Sequence, residues 1–259
     1  MSKEIAGFCF HEVTDHPRST GFQRRGAVPF RLTRRQFAAH LDAIARSPWL
    51  PRRVTDLEAA GDARSLLLTF DDGGRSALDA ADELGRRGWR GHFFVITGRV
   101  GTATFLGVED IRYLHRCGHV IGSHSHTHPD IFRELSPAAM LEEWRTSAAF
   151  LSDLLGVACE AASVPGGEIS PAALESGAGA GFRYLFTVEP VVRPGRVREC
   201  RIFGRYLVKA ATTPARVGQL AQFRGWTAAL ALRRLKGVAR RTAPPLYRYV
   251  VGQRTREAC

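Results

Sequence analysis

Two adjacent carboxylates, Asp71 and Asp72, follow the run Ser65-Leu66-Leu67-Leu68-Thr69-Phe70 and open onto Gly73-Gly74. A folded chain rarely keeps paired like charges at the mouth of a buried strand unless a cation or a reaction uses them. Farther along, His124-Ser125-His126-Thr127-His128 offers imidazoles at i and i+4, which on a helical turn share one face and converge on one ion. One carboxylate oxygen and two imidazole nitrogens leave a tetrahedral divalent ion a fourth position for water, as in hydrolytic zinc sites. His126 points away from both on such a turn and reads as a pocket or packing residue. The bland alternatives are a surface turn for Asp-Asp-Gly and, for His124-Ser125-His126 at a strand end, the metal site of a different hydrolase, such as a phosphoesterase.

The elements that must position these groups alternate. Apolar runs at Ile5 to Phe10, Ser65 to Phe70, Gly91 to Ile96, His119 to Ser123, Cys159 to Val164, Tyr184 to Val188 and Arg201 to Val208 predict strands. Between and after them, Thr33 to Arg46, Ser76 to Arg87, Val108 to Cys117, Ser136 to Leu155, Pro171 to Gly177 and Pro214 to Phe223 predict helices. This β-then-α rhythm calls for a parallel sheet. His11, Asp71 with Asp72, His124 and Pro165 each fall just past a predicted strand, and in a (β/α) barrel those ends share the rim that carries the chemistry. Residues 16 to 30 read as a rim loop rich in turn residues.

At these residues the chain resembles the polysaccharide deacetylases, the NodB-like carbohydrate esterases. Thr69-Phe70-Asp71-Asp72-Gly73 and His124-Ser125-x-x-His128 match two motifs of that family, and Ser163-Val164-Pro165-Gly166-Gly167 matches in part a third, with Ser163 in place of its Arg. The resemblance spans about residues 4 to 210. It implies a distorted (β/α) barrel of about seven strands and hydrolysis of an N-acetyl group on an amino sugar of a glycan or glycolipid precursor. It makes Asp71 the general base and Asp72, His124 and His128 the ligands of a divalent metal, zinc first, with cobalt or nickel as substitutes. Pro165 and Gly166 take the place of the turn that binds substrate and oxyanion. The family's usual acid is a His near the last strand, and this chain has no His after His128. One branch, which looks circularly permuted, supplies it from a Tyr/Phe-His-x-Val segment on the first strand, and Phe10-His11-Glu12-Val13 is similar to that segment, which makes His11 the expected acid. Arg201, opening a late strand, is the expected substitute for the Arg missing at Ser163. The gaps in the pattern also leave open a glycan-binding homologue without activity.

Length and composition bound the rest. A chain of 259 residues with 44% apolar residues fits one barrel domain, here residues 1–224, followed by an appendage at 225–259. The five cysteines are widely spaced and lack a Cys-x-x-Cys pair, which suits reduced thiols. Neither a secretory h-region nor an apolar stretch of membrane-spanning length is visible, so a cytoplasmic protein is expected. The net charge of +12 is concentrated late, Arg196 to Cys259 carrying 15 Lys/Arg against 2 Asp/Glu. Trp226 to Arg241 reads as a basic amphipathic helix, with Ala228, Ala231, Leu232, Leu235, Val238 and Ala239 on one side and Arg233, Arg234, Lys236, Arg240 and Arg241 on the other. An anionic membrane surface or a lipid-linked sugar is its expected partner, and no nucleic-acid module accompanies the charge.

Overall fold

Alternation decides what each strand buries. In the computed structural model, which describes residues 3–167, 169–242, 249 and 251–253, the strands are β1 Glu4–Phe10, β2 Glu12–Val13, β3 Arg31–Leu32, β4 Arg64–Phe70, β5 His92–Val95, β6 Val120–Ser123, β7 Ala161–Ser163, β8 Tyr184–Phe186, β9 Gly195–Val197, β10 Cys200–Phe203 and β11 Arg205–Leu207. The helices are α1 Arg34–Ala45, α2 Ala77–Gly85, α3 Val108–Arg116, α4 Pro137–Leu155, α5 Pro171–Gly179, α6 Pro214–Ala221 and α7 Trp226–Thr242. Their starts follow side-chain caps: Thr33, Ser136, Ser170 and Thr213 each accept a backbone N–H from the first turn of α1, α4, α5 and α6.

The main sheet runs β11-β1-β4-β5-β6-β7-β8-β10-β9 and is parallel except at its β10–β9 edge. Only Gly204 separates β10, which pairs with β8, from β11, which pairs with β1. The two ends of the sheet are thereby joined through one bent segment, and the result is a closed (β/α) barrel of seven staves, distorted at that bend. A Cβ at Gly204 would lie 2.3 Å from the Glu189 carbonyl oxygen, so the bend requires glycine.

Alternate strand residues Ile5, Leu67, Phe94, Ala161, Phe186 and Phe203 fill the lower lumen. Their neighbours Phe8, Phe10, Leu66, Leu68, Phe70 and Phe93 face outward onto α1, α2, α3 and α6. Fully burying each such side chain contributes about 1.5–3 kcal/mol, which fixes register as well as stability. With Cys9 opposite Thr69 and Phe10 opposite Phe70, the register sends His11 and Asp71 out of adjacent strands side by side.

The helix that follows Gly225 packs its first turn against the barrel. Trp226 is buried edge-on against Phe8, ring centroids 6.2 Å apart, and its indole N–H donates to the Leu220 carbonyl at 2.9 Å. Ala229 is buried too, whereas Leu232 and Leu235 are 55% and 68% exposed. The predicted faces of this helix therefore hold only in part. Arg233 turns inward, and the side chains of Lys236, Val238, Ala239, Arg240 and Arg241 lie outside the described residues. Among the described residues no helix is long and apolar enough to cross a membrane.

Candidate active site

The rim at the C-terminal ends of β1, β4, β6 and β7, reached from below by Arg205 at the start of β11, gathers the polar groups that alternation points inward. Asp71 leaves β4 in register with β1, its N–H donating to the Phe10 carbonyl at 3.0 Å. Asp72 then takes a left-handed backbone (φ 77), followed by Gly73 (φ 78). That break in the pleat lets consecutive carboxylates serve one cavity instead of opposite faces, at a cost of order 1–3 kcal/mol for a non-glycine residue.

His124 and His128 do converge, but not on a helix. The segment is a tight loop in which Ser125 (φ 63) and His128 (φ 56) are left-handed. The Glu143 carboxylate on α4 ties it down, accepting the backbone N–H of His126 at 2.9 Å and of Thr127 at 2.8 Å, while Ser125 Oγ accepts the His128 N–H at 3.0 Å. The helical face expected from the i, i+4 spacing is thus replaced by a carboxylate-clamped turn. His126 lies apart from the ligand cluster, its Nδ1 2.9 Å from Thr97 Oγ1.

Asp72 Oδ1 stands 3.4 Å from His124 Nε2 and 3.8 Å from His128 Nε2, and the three ligand atoms lie within 4.8 Å of one another. The His124 Nδ1–H donates to the Ser163 carbonyl at 2.9 Å, which fixes the tautomer whose Nε2 lone pair faces Asp72. Burial, reinforced by repulsion from His124, pushes His128 down to about 3, so its ring is neutral. Burial alone would raise Asp72, yet the surrounding histidines hold it far below the usual carboxylate range. An ionised carboxylate faced by two imidazole Nε2 atoms is a donor set that suits a divalent ion.

Asp71 has a different set of partners. Arg205 donates to its two oxygens at 2.7 and 2.9 Å, Ser163 Oγ donates at 3.0 Å, and the Cys9 thiol lies 3.4 Å away. Against the raising effect of burial, the Arg205 guanidinium holds Asp71 ionised well below its ordinary range. Arg205 also donates to Thr69 Oγ1, Ser163 Oγ and the Thr187 carbonyl and lies over the packed rings of Phe94 and Phe186. This corrects the expectation for Arg201, which lies near the start of β10 with its guanidinium over the Phe203 ring and 3.3 Å from the Glu58 carboxylate. The residue missing at Ser163 is replaced across the barrel: Ser163 is small, and Arg205 reaches in from the last stave. One sequence signal marked the space. Gly7 lies on the inward face of β1, and a Cβ there would meet Arg205 Cγ at 2.9 Å.

His11 lies just beyond β1, within 4.8 Å of ligand atoms of both Cys9 and Asp71, its ring stacked on Phe30 at 4.8 Å. Burial lowers its proton affinity more than the pull of Asp72 and Asp71 raises it. Its buried Nδ1 has no hydrogen-bond partner among the described residues. Glu12 anchors the rim loop behind this site: Thr20 Oγ1 donates to its Oε2 at 2.5 Å and Ser76 Oγ at 2.6 Å, while burial pushes its carboxyl up to about 7. The loop so held sets Phe22 against His128, ring centroids 5.4 Å apart. Pro165 is buried and Gly166 exposed in a turn where Gly166 (φ 59) and Gly167 (φ 64) are both left-handed.

Residues 58–185, which hold both carboxylates, both ligand histidines and that turn, match the family model described as polysaccharide deacetylase. The fold is similar to that of IcaB from Ammonifex degensii, 26% identical with a TM-score of 0.67 over 86% of this chain and 98% of that one. It is also similar to Streptococcus pyogenes deacetylase PplD in complex with acetate, 17% identical with a TM-score of 0.70 over 85% and 99%. The de-N-acetylase from Aggregatibacter actinomycetemcomitans, 13% identical, has a TM-score of 0.71 over 84% and 100%. No curated protein sequence matches the chain.

Proposed function

Since the chain belongs to the polysaccharide deacetylase family, we propose that it is a metal-dependent hydrolase of the N-acetyl group on an amino sugar, within a glycan or glycolipid precursor. The observation that carries this reading is the separation of two adjacent carboxylates into two environments, Asp72 facing the imidazoles and Asp71 clamped by Arg205. Asp72, His124 and His128 would hold a divalent ion, which would supply an acidified water and polarise the acetyl carbonyl. Asp71, kept ionised by Arg205, takes the proton of the attacking water. The backbone N–H of Gly166, at the rim turn, donates to the oxyanion as the carbonyl carbon becomes tetrahedral. His11 then delivers a proton to the leaving amine. Acetate and a free amino sugar result.

The acid is tested by the leaving group. His11→Ala should keep its metal and lose about two to four orders of magnitude of turnover on an N-acetylated sugar. It should lose far less on 4-nitrophenyl acetate, whose leaving group needs no proton. Equal losses on both substrates would make His11 a structural residue. Acetate release over a panel of acetylated glycans and lipid-linked sugars tests the reaction itself, and phosphate release from model esters without acetate release would favour the phosphoesterase reading instead.

The outward face of α7 supports a second element of the proposal, docking on an anionic membrane. Leu232 and Leu235 project beside exposed Arg234 in the most basic quarter of the chain, and each basic residue near an anionic leaflet contributes about 1 kcal/mol. Replacing both leucines by Glu should abolish co-sedimentation with phosphatidylglycerol vesicles and spare activity on a soluble sugar. Sedimentation equal to that of the unaltered protein would end this part of the reading.

A further inference from the structure

Arg233 is the one side chain of α7 that reaches the active-site rim among the described residues. It is half-buried, and its Nε donates to Glu189 Oε1 at 2.8 Å while its Nη2 donates to the Gly167 carbonyl at 2.9 Å. Both acceptors belong to the site's framework. Gly167 ends the Pro165–Gly167 turn, where two successive left-handed glycines give the backbone little intrinsic preference for the conformation it holds. A Cβ on Gly167 would lie 2.3 Å from Val188 Cγ2 and 3.1 Å from Arg233 Nη2, so the turn is pressed between β8's extension and the guanidinium. Glu189 carries the other half: its carbonyl accepts the Arg205 N–H at 3.0 Å, seating the residue whose guanidinium clamps Asp71. One planar cation thus spans the oxyanion turn and the segment that places the partner of the base.

We propose that Arg233 is a positioning residue for catalysis, a strut by which α7 holds the Gly166 N–H at the place where the oxyanion forms. The proposal rests on the deacetylase reading above. It assigns α7 to the catalytic unit in addition to any role in docking, because a flexible diglycine turn gains a fixed geometry only from what contacts it. A donor left to sample other directions stabilises the transition state less while substrate binding is unaffected, so the loss falls on kcat.

The test uses the full chain with Arg233→Lys and Arg233→Ala. Lysine retains a positive charge for Glu189 and therefore the docking of α7, but it lacks the planar fork whose two nitrogens meet Glu189 and the Gly167 carbonyl in fixed directions. Arg233→Lys should melt within a few degrees of the unaltered protein, keep its metal and its KM, and lose about tenfold or more in kcat on a soluble N-acetylglucosamine oligomer, a fraction of the effect of deleting an oxyanion donor. Arg233→Ala should show at least that loss. In both variants hydrogen exchange at Gly166 and Gly167 should accelerate while β7 stays protected. Unaltered kcat in Arg233→Lys, or unaltered exchange at the turn in both variants, would overturn the proposal. If the unaltered protein releases no acetate from any acetylated sugar, the deacetylase reading fails, and the exchange measurement still decides whether Arg233 holds the turn.

Discussion

Asp71→Asn should retain the metal and lose about two to four orders of magnitude in kcat, the range for removing a general base. The structure adds a cost in stability. Asp71 is the counter-charge of a fully buried Arg205, and an amide leaves that guanidinium without one. Breaking a buried pair by removing one partner costs about 3–5 kcal/mol, so the single variant should melt well below the unaltered protein. The double variant Asp71→Asn/Arg205→Met removes both charges and should recover much of that stability without recovering activity. This separates chemistry from unfolding. Arg205→Met alone gives the complementary result through pH. With its principal cationic neighbour gone, the Asp71 carboxyl binds a proton at higher pH than before. The acidic limb of kcat/KM should then move upward, so activity at low pH is lost first and survives longest at neutral pH. Near-normal acetate release from a folded, metal-replete Asp71→Asn would remove Asp71 from the base role.

Metal removal should be equally severe. After dialysis the unaltered protein should hold about one equivalent of divalent ion, lose activity to a chelator, and regain it with zinc or cobalt. His124→Ala, His128→Ala and Asp72→Asn should fail to retain the ion, with affinity reduced by more than the roughly 10–100-fold that loss of an outer-shell partner causes. His126→Ala is the control, since its Nδ1 is engaged with Thr97 away from the ligand atoms, and it should keep both ion and turnover. Acid should weaken binding in the unaltered protein. Asp71 and Asp72 raise the proton affinity of His124 despite its burial, so protons compete with the ion there as pH falls. Full occupancy in His124→Ala would refute the assignment of that ligand.

The β-then-α rhythm, the strand positions and the clustering of chemistry at strand ends were legible because hydrophobic period and turn residues are local properties. Each predicted strand overlaps an observed one, and only the last differs in kind. Arg201 to Val208 reads as one strand but bends at Gly204, because its first half pairs with β8 and its second with β1. The same locality explains the error at His124 to His128. Spacing at i, i+4 fits a helical face, but Glu143, from a helix that follows in the chain, ties the segment into a left-handed loop with a similar convergence of rings.

By itself the sequence determined which groups could act: the two carboxylates, the ligand histidines, His11 on the first strand and the basic tail all declare themselves by residue type, spacing and charge. Tertiary structure alone decided which cation serves which carboxylate. Arg201 and Arg205 are equivalent in composition and lie on one stave, and their fates diverge because they stand at different heights along it, one over Phe203 beside Glu58 and the other in the lumen over Gly7 and Ser163. The closure of a barrel brings residues 7, 71, 163 and 205 into contact, and no local pattern encodes contacts made only when the last strand meets the first. Arg233 illustrates the same limit. On a helical wheel it belongs to a solvated basic face, and only the packing of Trp226 against Phe8 rotates it onto Glu189 and the Gly167 carbonyl.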